Sequence, residues 1–498
     1  MPPTADSASA RGLPDWARWL LALLPVRILL AAIAPVLPEE AYHWNFARHL
    51  DWSYLDHPPM IAWAIAVGRL VAGDTPFGIR LVPLVFSVGS SIVLARFTRR
   101  LYGEVAAVWA ILLFTLSPIP LVVSEAGFPD SPLLFFWSLT LALSWEAVES
   151  GSPRAWLAAG ASLGGAMLSK YTAVLLVPSL FLYLALSARD RRRLASPWPY
   201  VAGGVALLVF LPVLYWNWTH GWASFLFQSK ERLDESHGFA LGRYLRAQAL
   251  APFTLTLPLA AVTLVRLVRS QQPHERFLLA FFLPMFLLFA AISCARPPHI
   301  LWPLASYLSV IVAMAGMAAE RTGAVAAFYA RARGWLVGVS GLLLVGVGVH
   351  LVWFLPLFSP LQGPYGWKEV ADAARTARTG LPDSAFYLGL GRKYTCTSQL
   401  AYQLRLPLEV HGANLIGAKA LQYGYWADPR QLQGRDAVIV VEGEGRAKET
   451  SDELERVFRS LEPKGEVVVP VGRATLLPSP PLKFHLYIGR GYRPPPFP

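Results

Sequence analysis

The chain has 498 residues, 54% of them hydrophobic and only 15% charged, with a mean hydropathy of +0.41. Soluble domains carry about 25% charged residues, so an ordinary soluble fold is excluded. The net charge of +12 sits in short runs between apolar segments, with no basic stripe interleaved with aromatics, which excludes a nucleic-acid-binding surface.

Apolar windows of about 20 residues, each long enough for a hydrocarbon core of ~30 Å, recur along the chain. They predict a polytopic α-helical membrane protein with about eleven spans. In order, the windows are 15–37, 77–95, 105–123, 131–148, 155–169, 170–187, 199–217, 248–266, 277–294, 300–318 and 335–356. Segment 1–14 precedes the first of them. That first window lacks a small-residue cleavage site and reads as a retained span, not a signal peptide. Only Ser169-Lys170 separates windows 155–169 and 170–187.

Arginines cluster between spans, at Arg96, Arg99 and Arg100, at Arg189 and Arg191–Arg193, at Arg266, Arg269 and Arg276, and at Arg321, Arg331 and Arg333. Lys and Arg stay on the cytoplasmic side, so these loops and the N-terminus are expected inside. An odd number of spans then puts everything after 357 outside. The outward loops hold carboxylates: Glu39, Glu40, Asp51, Asp56 and Asp74 in segment 38–76, then Glu125 and Asp130. Segment 218–247 is amphipathic.

Residues 357–498 change character. Short β-type runs at Asp436–Glu442, Gly465–Val471 and Leu482–Ile488, with an amphipathic helix near 449–461, predict an extracytoplasmic α/β domain ending in a Pro-rich tail. Cys294 and Cys396 support no metal spacing or disulfide framework. The sequon at Asn217 abuts a span, and Gly389-Leu390-Gly391-Arg392 lacks the rest of a dinucleotide-binding pattern.

The densest polar stretch runs from Pro38-Glu39-Glu40-Ala41-Tyr42-His43-Trp44 to Leu50-Asp51-Trp52-Ser53-Tyr54-Leu55-Asp56-His57-Pro58-Pro59. Two adjacent carboxylates at headgroup depth repel one another, which favours a base competent near neutral pH. A solvated helix cap accounts for the same pair equally well. Lys170, Arg296, His299 and His220 lie at outward helix ends, where cations suit an anionic headgroup. Singly, each also fits a snorkelling side chain.

Pro38–Met60 resembles the first extracytoplasmic loop of bacterial glycosyltransferase family 39, the branch related to protein O-mannosyltransferases and the lipid A aminoarabinose transferase. Further similar stretches follow in order: Phe128–Pro132, Leu168–Thr172, Trp216–Gln228, Arg296–Pro303 and Gln422–Trp426. The similarity runs from about residue 15 to about 430. It departs at Glu39, where the family usually has Asp, and at His43, where it has Tyr.

This resemblance implies a GT-C fold and inverting transfer of a monosaccharide from a polyprenyl-phosphate donor to an acceptor hydroxyl on the extracytoplasmic face of the bacterial inner membrane. Under it, Glu39 or Glu40 is the expected base, and Asp130 orients the acceptor, shares a divalent metal with Glu40, or steadies a cation. Asp56, His57, Lys170, His220, Arg296, His299 and Tyr394 are the expected substrate contacts. Lipid, glycan and protein acceptors stay open, as does metal dependence. The alternative is a flippase for a lipid-linked glycan, which is expected to hold charges near the bilayer midplane and often shows internal repeats.

Overall fold

The computed structural model describes residues 13–115, 117–231, 238–250, 257–297, 299, 301–320, 365–469 and 481–495, with scattered positions between 327 and 349. The chain runs through α1 (Asp15–Ile33), α2 (Pro38–Arg48), α3 (Met60–Ala72), α4 (Pro76–Tyr102), α5 (Glu104–Thr115), α6 (Pro118–Glu125), α7 (Asp130–Ser150), α8 (Pro153–Ser169), α9 (Leu176–Leu186) and α10 (Trp198–Thr219). After a short turn at Ala223–Leu226 come α11 (Leu241–Leu250), α12 (Leu257–Arg269), α13 (Pro273–Ser293) and α14 (Tyr307–Ala318). Of these, α1, α4, α7, α10 and α13 are each long and apolar enough to cross a bilayer. Shorter apolar helices include α3, α5, Tyr171–Leu186 and Leu304–Ala318. This is a multi-pass membrane protein.

The predicted windows differ from the helices where proline or a polar break intervenes. Window 105–123 is two helices, because Pro118 disfavours helical geometry in the residue before it. The break at Ser169-Lys170 is present: α8 ends at Ser169, Lys170 is extended, and a 3-10 turn leads into α9. Window 335–356 lies outside the described residues apart from scattered positions, as do residues 251–256 of window 248–266.

Arg-rich ends gather on one side. Arg100 pairs with Glu149 at 2.8 Å, Arg193 donates to Val148 O at 3.1 Å, and Arg266 pairs with Glu275 at 3.0 Å. The opposite helix ends carry the first loop, the α6–α7 turn, Lys170 and Arg296. The arginines at 321, 331 and 333 lie outside the described residues. Two spans hold buried arginines, each matched by a carboxylate: Arg27 pairs with Glu125, and Arg80 with Glu40. Such pairing is how charge is tolerated at this depth.

Residues 365–495 fold as α15 (Trp367–Arg378), β1 (Phe386–Leu390), α16 (Thr395–Leu404), β2 (Val410–His411), β3 (Ala437–Glu442), α17 (Glu444–Val457), β4 (Ser460–Val469) and β5 (Leu482–Arg490). The sheet order is β2-β1-β3-β5-β4, parallel across β2, β1 and β3 and antiparallel at β5 and β4. The runs expected at 436–442 and 482–488 are β3 and β5. The strand expected from 465 begins five residues earlier and crosses an irregularity between Pro463 and Gly465. Pro470 and Val471 lie outside the described residues. A shared apolar core, with Val36, Trp44, Ile61 and Ile79 against Leu400, Val410 and Phe484, joins this sheet to the membrane helices.

Candidate active site

Helix α2 starts where its sequence says it should. Pro38 occupies the first turn, and Glu40 reaches back to accept the Leu37 N–H at 2.9 Å. Successive helical residues project about 100° apart, so adjacent Glu39 and Glu40 face different surroundings. Glu40 turns inward and is fully buried. Its Oε1 accepts from Arg80 Nε at 2.7 Å and from Gly127 N–H at 2.9 Å, while its Oε2 accepts from Arg80 and Leu37. Arg80 in turn donates to the carbonyls of Ala34 at 2.6 Å and Pro35 at 2.8 Å, closing the end of α1. Glu40 is therefore a structural anion. The expectation that it serves as base or metal ligand does not fit a carboxylate whose oxygens are occupied and sealed from solvent.

Glu39 faces a cavity of about 830 Å3. Asp56, His57, Asp130, Lys170, Arg296, His299 and Tyr394 line the same cavity. Eight of the ten residues expected from the sequence thus converge; Glu40 and His220 do not. His220 stacks on Trp216 at 4.0 Å, and the Trp216 indole donates to Asp51 at 2.8 Å. It supports the loop and stands away from the cavity.

Each lining residue is held by identifiable contacts. Lys170 Nζ donates to both Asp130 oxygens, at 2.8 and 2.9 Å, joining the start of α7 to the end of α8. Of the options for Asp130, that geometry matches steadying a cation. Asp56 accepts from the Tyr42 hydroxyl at 3.2 Å, and Tyr42 stacks on Tyr394 at 4.0 Å. Burial, then the Asp56 charge, pushes Tyr42 well above its ordinary value, so it remains a donor. The Trp216–Gln228 stretch clamps the first loop, with Ser224 Oγ on Tyr54 O at 2.9 Å and Gln228 Nε2 on Asp56 O at 2.8 Å. Burial drives the His43 imidazole down to about 4, so it is neutral.

The cavity also holds cations that sequence reasoning passed over. Arg243 comes from α11, and Arg392 with Lys393 from the end of β1. Ligands of parallel sheets sit beyond the carboxyl ends of strands where the order reverses, and β1 lies between β2 and β3 at such a point. The two glycines of Gly389-Leu390-Gly391-Arg392 allow close packing: a Cβ at Gly389 would meet the Thr397 backbone at 2.7 Å, and one at Gly391 the Cys396 Cβ at 2.7 Å. The lining therefore has five cations (Lys170, Arg243, Arg296, Arg392, Lys393) against three carboxylates (Glu39, Asp56, Asp130), a formal excess of two. Such a cavity favours an anion. Among the described residues, the His, Cys and carboxylate groups close enough to share a metal are Glu39, His43 and His57.

Residues 56–216 match the family model described as dolichyl-phosphate-mannose-protein mannosyltransferase. That stretch includes Asp56, His57, Asp130 and Lys170; Glu39 and Glu40 precede it. Over 95% of its length, the chain superposes on the structure of ArnT from Cupriavidus metallidurans bound to undecaprenyl phosphate, with a TM-score of 0.68, 16% identity and 98% of that chain covered. The chain has the GT-C fold. Two curated relatives support the resemblance carried by the first loop and the stretches that follow it. The lipid A galacturonosyltransferase RgtD of Rhizobium johnstonii is 26% identical over 280 residues, 54% of this chain and 58% of that protein. The undecaprenyl phosphate-alpha-4-amino-4-deoxy-L-arabinose arabinosyl transferase 2 of Pseudomonas fluorescens is 25% identical over 410 residues, 74% of this chain and 67% of that protein. The alignments thus span roughly half to two thirds of these relatives.

Proposed function

We propose that this GT-C protein is an inverting glycosyltransferase, moving a monosaccharide from a polyprenyl-phosphate donor to an acceptor hydroxyl at the extracytoplasmic face of the bacterial inner membrane. The observation that carries this reading is the cavity itself. It joins a carboxylate, Glu39, to an excess of cations at the membrane end opposite the arginine runs. About eleven spans, with residues after 357 outside, complete the proposed topology. The relatives' names supply the chemical class: one is named for an undecaprenyl-phosphate sugar, the other for lipid A. A glycolipid acceptor is the first to test.

The donor phosphate binds among Arg243, Arg296, Arg392 and Lys393, with its tail in the bilayer. Lys170, oriented by Asp130, adds a fixed dipole. Bond breaking between sugar C1 and the phosphate oxygen leaves polyprenyl phosphate as an anion, which needs charge stabilisation and no proton. The acceptor oxygen bonds to C1 from the opposite side, and its proton passes to Glu39. His299 and Tyr394 line the cavity, where they contact sugar or phosphate.

The test is transfer from a polyprenyl-phosphate sugar by purified protein carrying Glu39→Gln or Asp130→Asn. Loss of a positioned base costs ~10²–10⁴ in rate. A well-folded Glu39→Gln variant with wild-type turnover would refute the assignment. The flippase reading predicts lipid translocation with no new glycosidic bond, and reconstituted vesicles separate the two outcomes.

A further inference from the structure

We propose that Glu39, His43 and His57 form a binding site for one divalent transition-metal ion, with zinc the best match to the donor set. One ligand atom from each residue lies within 4.8 Å of the other two. A zinc ion 2.0–2.1 Å from all three would hold them about 3.3 Å apart, so the ligand atoms would draw together by at most about 1.5 Å on binding.

His43 carries most of the argument. It is fully buried, and its Nδ1 lies 2.9 Å from the carbonyl oxygen of Gly127. A carbonyl only accepts, so Nδ1 bears the proton and Nε2 presents a lone pair. That Nε2 is buried and has no hydrogen-bond partner among the described residues. Leaving such an atom unsatisfied carries its full desolvation penalty, which a metal bond removes. Fixing one ring nitrogen on a backbone carbonyl is also how proteins orient metal-ligating histidines.

Glu39 and His43 are four residues apart on α2, so they project from one helix face and are set by a rigid element. His57 approaches from the loop ahead of Pro58 and Pro59, and its Nε2 is 3.9 Å from Asp56 Oδ2. The carboxylates of Glu39 and Asp56 supply two negative charges, matching a dication. Two imidazoles and one carboxylate suit zinc, cobalt or nickel; magnesium and calcium prefer all-oxygen shells. Glu39 and His57 line the cavity while His43 lies behind them, so a fourth, tetrahedral position opens toward the cavity. If the transfer reading holds, that position faces an acceptor hydroxyl, and Glu39 would hold the ion through one carboxylate oxygen while the other takes the proton. The ion site itself does not depend on it.

The experiment uses full-length protein in detergent, purified on a tag free of histidine, stripped with chelator and dialysed against micromolar zinc chloride. Mass spectrometry of the metal should find about one zinc per chain, and cobalt in its place should give visible tetrahedral absorption. His43→Phe and His57→Gln should each weaken zinc binding by at least ~10²-fold, since even outer partners of such ligands are worth 10–100-fold. His43 is a fully buried core position, so His57→Gln, in the partly exposed cavity lining, provides the second variant. Both are checked for unchanged unfolding temperature in chelator. Wild type holding almost no zinc, or both folded variants holding as much as wild type, overturns the site. Zinc-loaded wild type that transfers no sugar counts against the transfer reading and leaves the site standing.

Discussion

Replacing Glu40 by Gln separates a structural carboxylate from a chemical one. The native carboxylate accepts four hydrogen bonds, two from Arg80 and one each from Leu37 and Gly127. An amide oriented with its oxygen toward Arg80 Nε and Gly127 keeps two of them. Its NH2 then points at Arg80 Nη2 and the Leu37 N–H, a donor against donors. Arg80, only 5% exposed, also loses its counter-charge. Breaking one side of a buried pair costs about 3–5 kcal/mol. Arg80 keeps its carbonyl contacts at Ala34 and Pro35, which places the loss near the lower end, about 3 kcal/mol. Thermal unfolding followed by size-exclusion fluorescence should fall by on the order of 5 °C. The surviving folded fraction should turn over within about threefold of wild type. Converting both partners, as in Glu40→Met with Arg80→Met, should recover much of the stability, because no lone charge is then buried. An unchanged unfolding temperature combined with abolished turnover would show that Glu40 does chemistry and that this reasoning is wrong.

The neighbouring change, Glu39→Gln, is expected to do the reverse: unfolding within ~1 °C of wild type, turnover down ~10²–10⁴ in a transfer assay. Lys170→Met leaves the Asp130 charge uncompensated and should lower both stability and turnover; adding Asp130→Asn should restore the unfolding temperature without the activity. Arg392→Ala and Lys393→Ala should raise the KM for the polyprenyl-phosphate donor about tenfold, with weaker salt dependence than wild type. Deleting residues 365–498 should abolish both folding and transfer, because that segment supplies part of the shared core and Arg392, Lys393 and Tyr394. Burial holds His43 and His411 at about 4, below their ordinary 6.5. Each therefore contributes stability present above pH ~6.5 and lost as pH falls toward 4, up to about 3 kcal/mol per group. Denaturation of chelated protein across that range should show the decline, and His411→Asn should flatten part of it.

The sequence alone determined that the chain crosses a membrane many times and that its arginine runs share one side. Both follow from the cost of placing polar atoms in hydrocarbon, a cost paid residue by residue and so visible locally. Motif order also placed much of the cavity lining, since Asp130, Lys170, Arg296 and His299 each sit at the end of an apolar window and Asp56 and His57 in the loop after the first. What local pattern does not encode is direction and partnership. Nothing in Glu39-Glu40 tells which carboxylate faces solvent; helix phase and the arrival of Arg80 from forty residues away decide it. Strand β1 was hidden because Phe386–Leu390 carries Gly389 and is buried throughout, losing the alternation that marks a half-buried strand. Arg392 and Lys393 joined the site only when the sheet docked on the first loop, and Arg243 only when α11 packed against α13. The Glu39–His43 spacing was legible as a shared helix face, yet the third partner, His57, comes from a loop whose position is set by Trp216, Ser224 and Gln228. Long-range packing fixes those contacts, and it is a property of the folded chain that no single window contains.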